Sequence, residues 1–250
     1  MELIVRADDL GYSKAVSLGI LESVQNGIIN NVGLMVNMRD SAHGVALLQG
    51  EDVCLGMHTN ISAGCPVSPA DMIPSLTDGE GRFRSSRSYQ TAEEDISLEE
   101  AILEVEAQYQ RFKALTGKRP GYIDGHAVSS GNFFKAMELV ADRHHVLYSS
   151  YPAGPDFTRP VTIGSRTVYL RGGSTLQRTP KECLEEVLGD TGHVSLVVYH
   201  PGYVDATIMR ESSLNLPRVY ELEYLTDPDT RRYLTERNIH LLRFDKLEEK

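Results

Sequence analysis

The sequence predicts an α/β protein with a mostly parallel sheet, wound either into a single barrel or into a similarly wound sheet. Three observations carry that prediction. Short apolar runs alternate with amphipathic stretches along all 250 residues, the pattern of repeated β-α units. The length and ordinary apolar content suit one sizeable core, so a single domain spanning 1–250 is expected. Carboxylates and histidines gather at the ends of the apolar runs, where parallel β/α proteins assemble their sites.

Taken in order, the first strand is expected over 2–7 on the apolar run Leu3-Ile4-Val5, followed by a helix over 14–27. A strand over 31–36, a helix over 41–49 and a strand over 53–57 come next. The helix over 93–116 has the strongest signature. Ile102, Val105, Tyr109, Phe112 and Leu115 recur at three- and four-residue steps, Glu100, Glu104, Gln108 and Arg111 fill the other face, and Gly117 ends it. Strands over 121–124 and 145–148 flank a helix over 132–143. A helix over 180–188, a strand over 194–199, helices over 216–225 and 228–237 and a strand over 239–243 complete the series. Asp227-Pro228 supplies an N-cap and then a proline at the first helical position. Two segments break the rhythm. Residues 59–92, with Pro66, Pro69, Pro74, Gly79 and Gly81, read as a long functional loop or lid. Residues 150–179 read as a β-hairpin excursion, built on Val161-Thr162-Ile163 and Thr167-Val168-Tyr169-Leu170 around Gly164-Ser165.

A formal charge of -10 with no Lys/Arg cluster argues against sequence-independent nucleic-acid binding, which needs a basic face. Chemistry on a small molecule is the better expectation. Cys54, Cys65 and Cys183 are odd in number and form no C-x-x-C pair, so neither a disulfide framework nor a zinc ribbon is signalled. No charged-then-apolar leader opens the sequence, and no apolar run approaches the ~20 residues of a membrane span. A cytoplasmic protein without membrane contact is expected, which makes the sequon Asn60-Ile61-Ser62 a chance match. Oligomeric state is not legible, and only analogy of fold suggests a homodimer.

The chemistry starts at Asp8 and Asp9, adjacent carboxylates at the mouth of an apolar strand. Like charges that close resist ionising together, and a divalent cation is the usual remedy. His58 ends the run Val53 to Met57, Asp124 and His126 end Gly121-Tyr122-Ile123, and His200 ends Val194 to Tyr199. In a parallel β/α barrel all of these converge on one mouth. Asp9, His58 and His126 make a two-histidine, one-carboxylate set that leaves positions free for water and substrate. Zinc, manganese or iron suit such ligands, and magnesium is also compatible. Asp8, beside the ligands, is the candidate general base, and Asp124 the candidate orienter of a ligand. His200, before the rigid turn Pro201-Gly202-Tyr203, is assigned to protonating a leaving amine, with oxyanion stabilisation as its other use.

These residues stand in an order that resembles the YdjC-like carbohydrate deacetylases, whose bacterial members include chito-oligosaccharide deacetylases. The match runs through Arg6-Ala7-Asp8-Asp9-Leu10-Gly11-Tyr12-Ser13, Gly27-Ile28-Ile29, Leu34-Met35-Val36-Asn37-Met38 and Gly56-Met57-His58-Thr59-Asn60. It continues with Ser75-Leu76-Thr77-Asp78, Gly81-Arg82-Phe83, Ala107-Gln108-Tyr109, His200-Pro201-Gly202-Tyr203-Val204-Asp205, Ser212-Ser213 and Arg218 with Glu221-Leu222. The resemblance implies a TIM-like (β/α) barrel, distorted or seven-stranded, of the polysaccharide-deacetylase type. It also implies one divalent metal ion, Mg2+ or Zn2+, on Asp9, His58 and His126, with Asp8 as base. The expected reaction is removal of the N-acetyl group from an amino sugar or a short, optionally phosphorylated, N-acetylated oligosaccharide.

Two departures stand out. Where the family commonly has Asp-Ser-His-His-His-Val-His, this chain reads Asp124-Gly125-His126-Ala127-Val128-Ser129-Ser130. The stretch Tyr148-Ser149-Ser150-Tyr151 lacks an arginine that members often carry, with Arg159 or Arg171 as candidate substitutes. The alternatives are hydrolysis of a phosphoester or glycosidic bond in a phosphorylated sugar, and sugar binding by a degraded site. Stacking of Tyr89 and Phe83 on a pyranose face is a further expectation.

Overall fold

In the computed structural model, whose described residues are 1–90, 95–149, 158–163, 166–173, 179–188 and 194–247, the strand β1 (Glu2–Leu10) is central. Every residue in it after Glu2 is buried. Leu3, Val5 and Ala7 join the main core beneath the helices, while Ile4 belongs to a smaller inner cluster with Cys54, Tyr122, Val194, Leu196, Val198 and Phe244. A strand covered on both faces reads as an unbroken apolar run, which is why Leu3-Ile4-Val5 shows no alternation.

The chain continues through α1 (Lys14–Gln25), β2 (Asn31–Leu34), α2 (Ser41–Leu47), β3 (Cys54–Thr59), α3 (Leu98–Thr116) and β4 (Tyr122–Gly125). Then come α4 (Gly131–His144), β5 (Leu147–Tyr148), β6 (Thr158–Ile163), β7 (Arg166–Gly173), α5 (Pro180–Leu188) and β8 (Val194–Tyr199). The last elements are α6 (Ala206–Glu211), α7 (Leu216–Thr226), α8 (Pro228–Glu236) and β9 (His240–Leu241). Side-chain hydroxyls start several helices: Ser13, Ser97 and Ser130 accept the N–H of Val16, Glu100 and Phe133.

The strands lie in the order β5-β4-β3-β2-β1-β8-β7-β6, with β9 pairing β1 below β2. All ladders are parallel except β6 with β7, the expected hairpin, whose side chains lie outside the described residues. The α/β class with a mostly parallel sheet is therefore present. The order is that of a wound barrel, but among the described residues β5 and β6 share no ladder and the sheet is not closed. Residues 150–157 between them, which include part of the predicted hairpin segment, lie outside the described residues.

Several boundaries differ from the sequence reading. β1 and β3 extend to Leu10 and Thr59, so Asp8, Asp9 and His58 belong to strands instead of following them. α3 starts at Leu98, because Ser97 caps it. α6 was not anticipated, since six residues are too few to show a helical period.

The helix α3 also corrects the reading of its polar face. Glu104 and Gln108 are fully buried and hold the long loop: Glu104 accepts the N–H of Val67 and Ser68 at 3.0 and 2.8 Å, and Gln108 bonds both backbone groups of Asn60. Glu100 accepts Ser75 N–H at 2.7 Å. Both oxygens of Glu104 and one of Glu100 thus satisfy backbone donors that a loop without regular structure would otherwise leave unpaired. Tyr89 is part of this anchorage, its hydroxyl donating to Ile61 and Leu76 carbonyls, and does not line the cleft. Asn60 is likewise sealed, its side chain bonded to Asn37, Ala63 and Ser62.

Candidate active site

Consecutive residues in a regular strand point to opposite faces, yet Asp8 and Asp9 both reach His58. A register shift between Ala7 and Leu10 makes this possible. Asp9 there adopts φ 75°, a conformation rare for a residue with a side chain, and its carbonyl accepts Tyr12 N–H at 3.0 Å. Gly33 on β2 supplies the space, for a Cβ there would lie 2.7 Å from Asp8 Oδ1 and 3.0 Å from His58 Cβ. The irregularity turns adjacent carboxylates onto the two ring nitrogens of one imidazole.

On its Nε2 side, His58 lies 3.4 Å from Asp9 Oδ1 and 3.1 Å from His126 Nδ1, and His126 Nδ1 is 3.0 Å from the same carboxylate oxygen. On its Nδ1 side, Asp124 Oδ2 is 3.0 Å away and Asp8 Oδ2 3.8 Å. Asp124 is thus the nearer carboxylate to this nitrogen, in the place an orienting group would take, and Asp8 lines the same cleft as Asp9 and His126. Two buried arginines complete the cluster. Arg218 of α7 reaches Asp9 Oδ2 at 2.6 Å, and Arg6 of β1 reaches Asp8 and Asp124 at 2.9 and 2.6 Å. Both stand in stretches that carry the family resemblance, but neither was assigned a role from the sequence, and the side chains of the suggested Arg159 and Arg171 lie outside the described residues.

His200 follows β8 and lines the same cleft as Asp8, Asp9, His58 and His126. Its backbone N–H donates to Glu221 of α7, and its Nδ1 is buried without a hydrogen bond. The cleft has a volume of about 870 Å³, and Tyr12, Ser62, Phe83, Phe134 and Ser212 are among its walls. A polar floor under partly apolar walls is the usual form of a small-molecule site. At the positions where the family's later histidines are missing, Ala127 takes a left-handed φ of 52° and Ser130 caps α4.

Burial opposes charge on Asp9, but Arg218 and then the nearby His126 and His58 outweigh it and hold the carboxyl well below the usual carboxylate range. For Asp124, burial is likewise overcome, by Arg6 and then His58. Burial also works against a charged His58, yet Asp8 and Asp124 raise its basicity well above that of an ordinary imidazole. His200 is different: burial dominates and lowers it to about 4, with Asp9 and Asp8 only partly opposing.

The residues present fit a cation. Ligand atoms about 2.0–2.2 Å from a shared ion sit roughly 3.0–3.5 Å apart. The three separations among Asp9 Oδ1, His58 Nε2 and His126 Nδ1 are 3.0, 3.1 and 3.4 Å, and Arg218 holds the other oxygen of Asp9, which leaves Oδ1 facing both imidazoles. Asp124 takes the other nitrogen of His58, as carboxylates behind ligating histidines do.

Fold and site together define an α/β protein with a candidate two-histidine, one-carboxylate metal centre at the carboxyl ends of its strands. The chain belongs to the YdjC-like protein family, whose model matches residues 2–236. It is 32% identical over 249 residues to a carbohydrate deacetylase of Clostridium beijerinckii, covering 98% of this chain and 99% of that one. A carbohydrate deacetylase of Geobacillus stearothermophilus is 32% identical over 247 residues, covering 96% of each chain. Among solved structures, an Enterococcus faecalis protein named for cellobiose-phosphate cleavage superposes with a TM-score of 0.85 at 23% identity, over 98% of both chains. A family 4 acetyl xylan esterase from Clostridium thermocellum, solved with a cobalt ion, gives a TM-score of 0.54 at 9% identity, over 99% of this chain and 90% of the other. The last two show likeness of fold. Among the described residues, no helix is long and apolar enough to cross a membrane.

Proposed function

We propose that this chain is a metal-dependent hydrolase that removes the acetyl group from an N-acetylated amino sugar or short oligosaccharide. The observation that carries the reading is the convergence of Asp9 Oδ1, His58 Nε2 and His126 Nδ1 at the floor of a roomy cleft. The carbohydrate deacetylases to which the chain is about one-third identical support the substrate class.

Asp9, His58 and His126 would hold the divalent ion, Mg2+ or Zn2+. Such an ion supplies a Lewis acid and lowers the pKa of water. Asp8 is the proposed base: Arg6 tethers one of its oxygens and the other has no partner, so it can accept the proton of the attacking water. An imidazole with a pKa of about 4 is protonated in only about one molecule in a thousand at neutral pH. His200 therefore serves better as a neutral N–H donor to the carbonyl oxygen, as charge develops there, than as a pre-charged acid. The proton held on Asp8 is then the one the departing amine requires. The products are acetate and the amine in its protonated form, with one water consumed.

The test is acetate release from a panel of N-acetylated mono- and disaccharides, with and without a 6-phosphate, across several divalent metals. Acetate from at least one amino sugar in a metal-dependent manner is expected. Inorganic phosphate or free sugar instead of acetate would replace this reading with phosphoester or glycoside hydrolysis, and binding without turnover would make the chain a sugar-binding protein.

A further inference from the structure

Arg6 breaks the apolar run of β1, and its side chain is buried, 2% exposed, between the inner apolar cluster and the carboxylates. It bridges Asp8 Oδ2 at 2.9 Å and Asp124 Oδ2 at 2.6 Å, lies 3.5 Å from Ser149 Oγ at the end of β5, and covers the Tyr122 ring at 5.4 Å. Its two carboxylate partners flank the same nitrogen of His58. Asp8, His58 and Asp124 thus form a second acidic pocket beside the metal triad, and the guanidinium is the cation nearest to both of its carboxylates. Without it, two like charges would compete for one imidazole N–H. Both carboxylate contacts come from Nη2, while Nη1 faces Ser149, so the planar group is fixed on two sides, whereas a lysine ammonium is a point charge on a shorter, flexible stem.

We infer that Arg6 is a positioning residue: by clamping Asp8 and Asp124 together it keeps Asp124 on His58 Nδ1, aims His58 Nε2 at Asp9 and His126, and leaves the second oxygen of Asp8 free. The catalytic half of this inference rests on the function proposed above. The metal-site half does not.

The experiment compares wild type, Arg6→Lys and Arg6→Gln by calorimetric titration with Zn2+ and with Mg2+, by acetate-release kinetics and by thermal unfolding. Loss of the group that orients a ligating histidine weakens metal binding about 10–100-fold. That weakening is expected for Arg6→Gln, with Arg6→Lys intermediate, and kcat is expected to fall while KM stays within about 3-fold. A purely architectural role would lower the melting temperature and leave affinity and kcat per folded molecule unchanged, which overturns the inference. If Arg6→Gln does not fold, Arg6→Lys decides alone: wild-type affinity and kcat overturn the clamp, and a loss of about tenfold or more supports it. A wild type that binds metal but yields no acetate from any sugar defeats the deacetylase reading, and the clamp is then judged on metal affinity. A wild type that binds neither ion overturns both.

Discussion

Replacing Arg218 by methionine removes the counter-charge of Asp9 while keeping a long side chain in its place. Both partners of this 2.6 Å pair are 1% exposed, so solvent cannot take over the role of the guanidinium. Breaking a buried pair by deleting one member leaves the other charge uncompensated and costs about 3–5 kcal/mol. The variant also loses the 2.8 Å donation from Arg218 Nε to the Leu214 carbonyl, which ties α7 to the segment before it. An exposed pair provides the contrast. Arg232 and Asp229, on the surface of α8, are 60% and 69% exposed, and Arg232→Met should cost about 0–1 kcal/mol. Urea unfolding of metal-free protein, followed by circular dichroism, measures both. With a urea slope near the upper end of about 1–3 kcal/mol per molar, Arg218→Met lowers the midpoint by about 1–2 M and Arg232→Met by less than about 0.4 M. Equal, small shifts for both variants would refute the argument that Asp9 depends on a buried counter-charge.

Three further outcomes follow from the same geometry. Asp8→Asn should lower kcat about 10²–10⁴-fold with metal affinity retained, and a loss confined to metal affinity in the titration would make Asp8 a support for His58 instead of the base. Gly33→Ala would place a methyl against Asp8 and His58, with an expected cost of about 1–3 kcal/mol in thermal unfolding and weaker metal binding, and wild-type behaviour would mean that β2 yields there. His200, lowered to about 4, resists protonation in the folded state while an unfolded histidine titrates near 6.5. Its contribution is full above about pH 6.5 and is lost as pH falls toward 4, by up to about 3 kcal/mol. Nitrogen NMR of His200 in metal-free protein should show a midpoint about 4, and His200→Gln should flatten stability over that window. A midpoint near 6.5 would return the charged-acid role to it.

The convergence of Asp9, His58 and His126 was legible because they fall at the ends of apolar runs, and parallel strands carry such ends to one mouth whatever their separation in sequence. The conformation that brings Asp8 and Asp9 to one imidazole was not. It depends on a register shift with β2 and a left-handed Asp9, which no local pattern announces. The roles of Arg6 and Arg218 were missed for a related reason: each has a partner distant in sequence, Asp124 for Arg6 beside the nearby Asp8, and Asp9 for Arg218. Arg6 did leave a signal. A charge inside the run from Leu3 to Ala7 has to be paired to be buried there. The helical period of α3 identified its apolar face correctly, but periodicity cannot tell a solvated polar face from one that binds a loop, and Glu104 and Gln108 do the latter. Tyr89 was assigned to sugar stacking from its place in that loop, and the two carbonyls its hydroxyl bonds put it in the core instead.

The most direct test of the account is to strip the protein of metal, reload it with one divalent ion per chain, and measure acetate release on an N-acetylated sugar alongside Asp9→Asn and His126→Ala. The account predicts activity that vanishes with the metal and returns with it, and two folded variants that neither bind the ion at wild-type affinity nor release acetate. Undiminished acetate release from the metal-free protein, or from either variant, would contradict it.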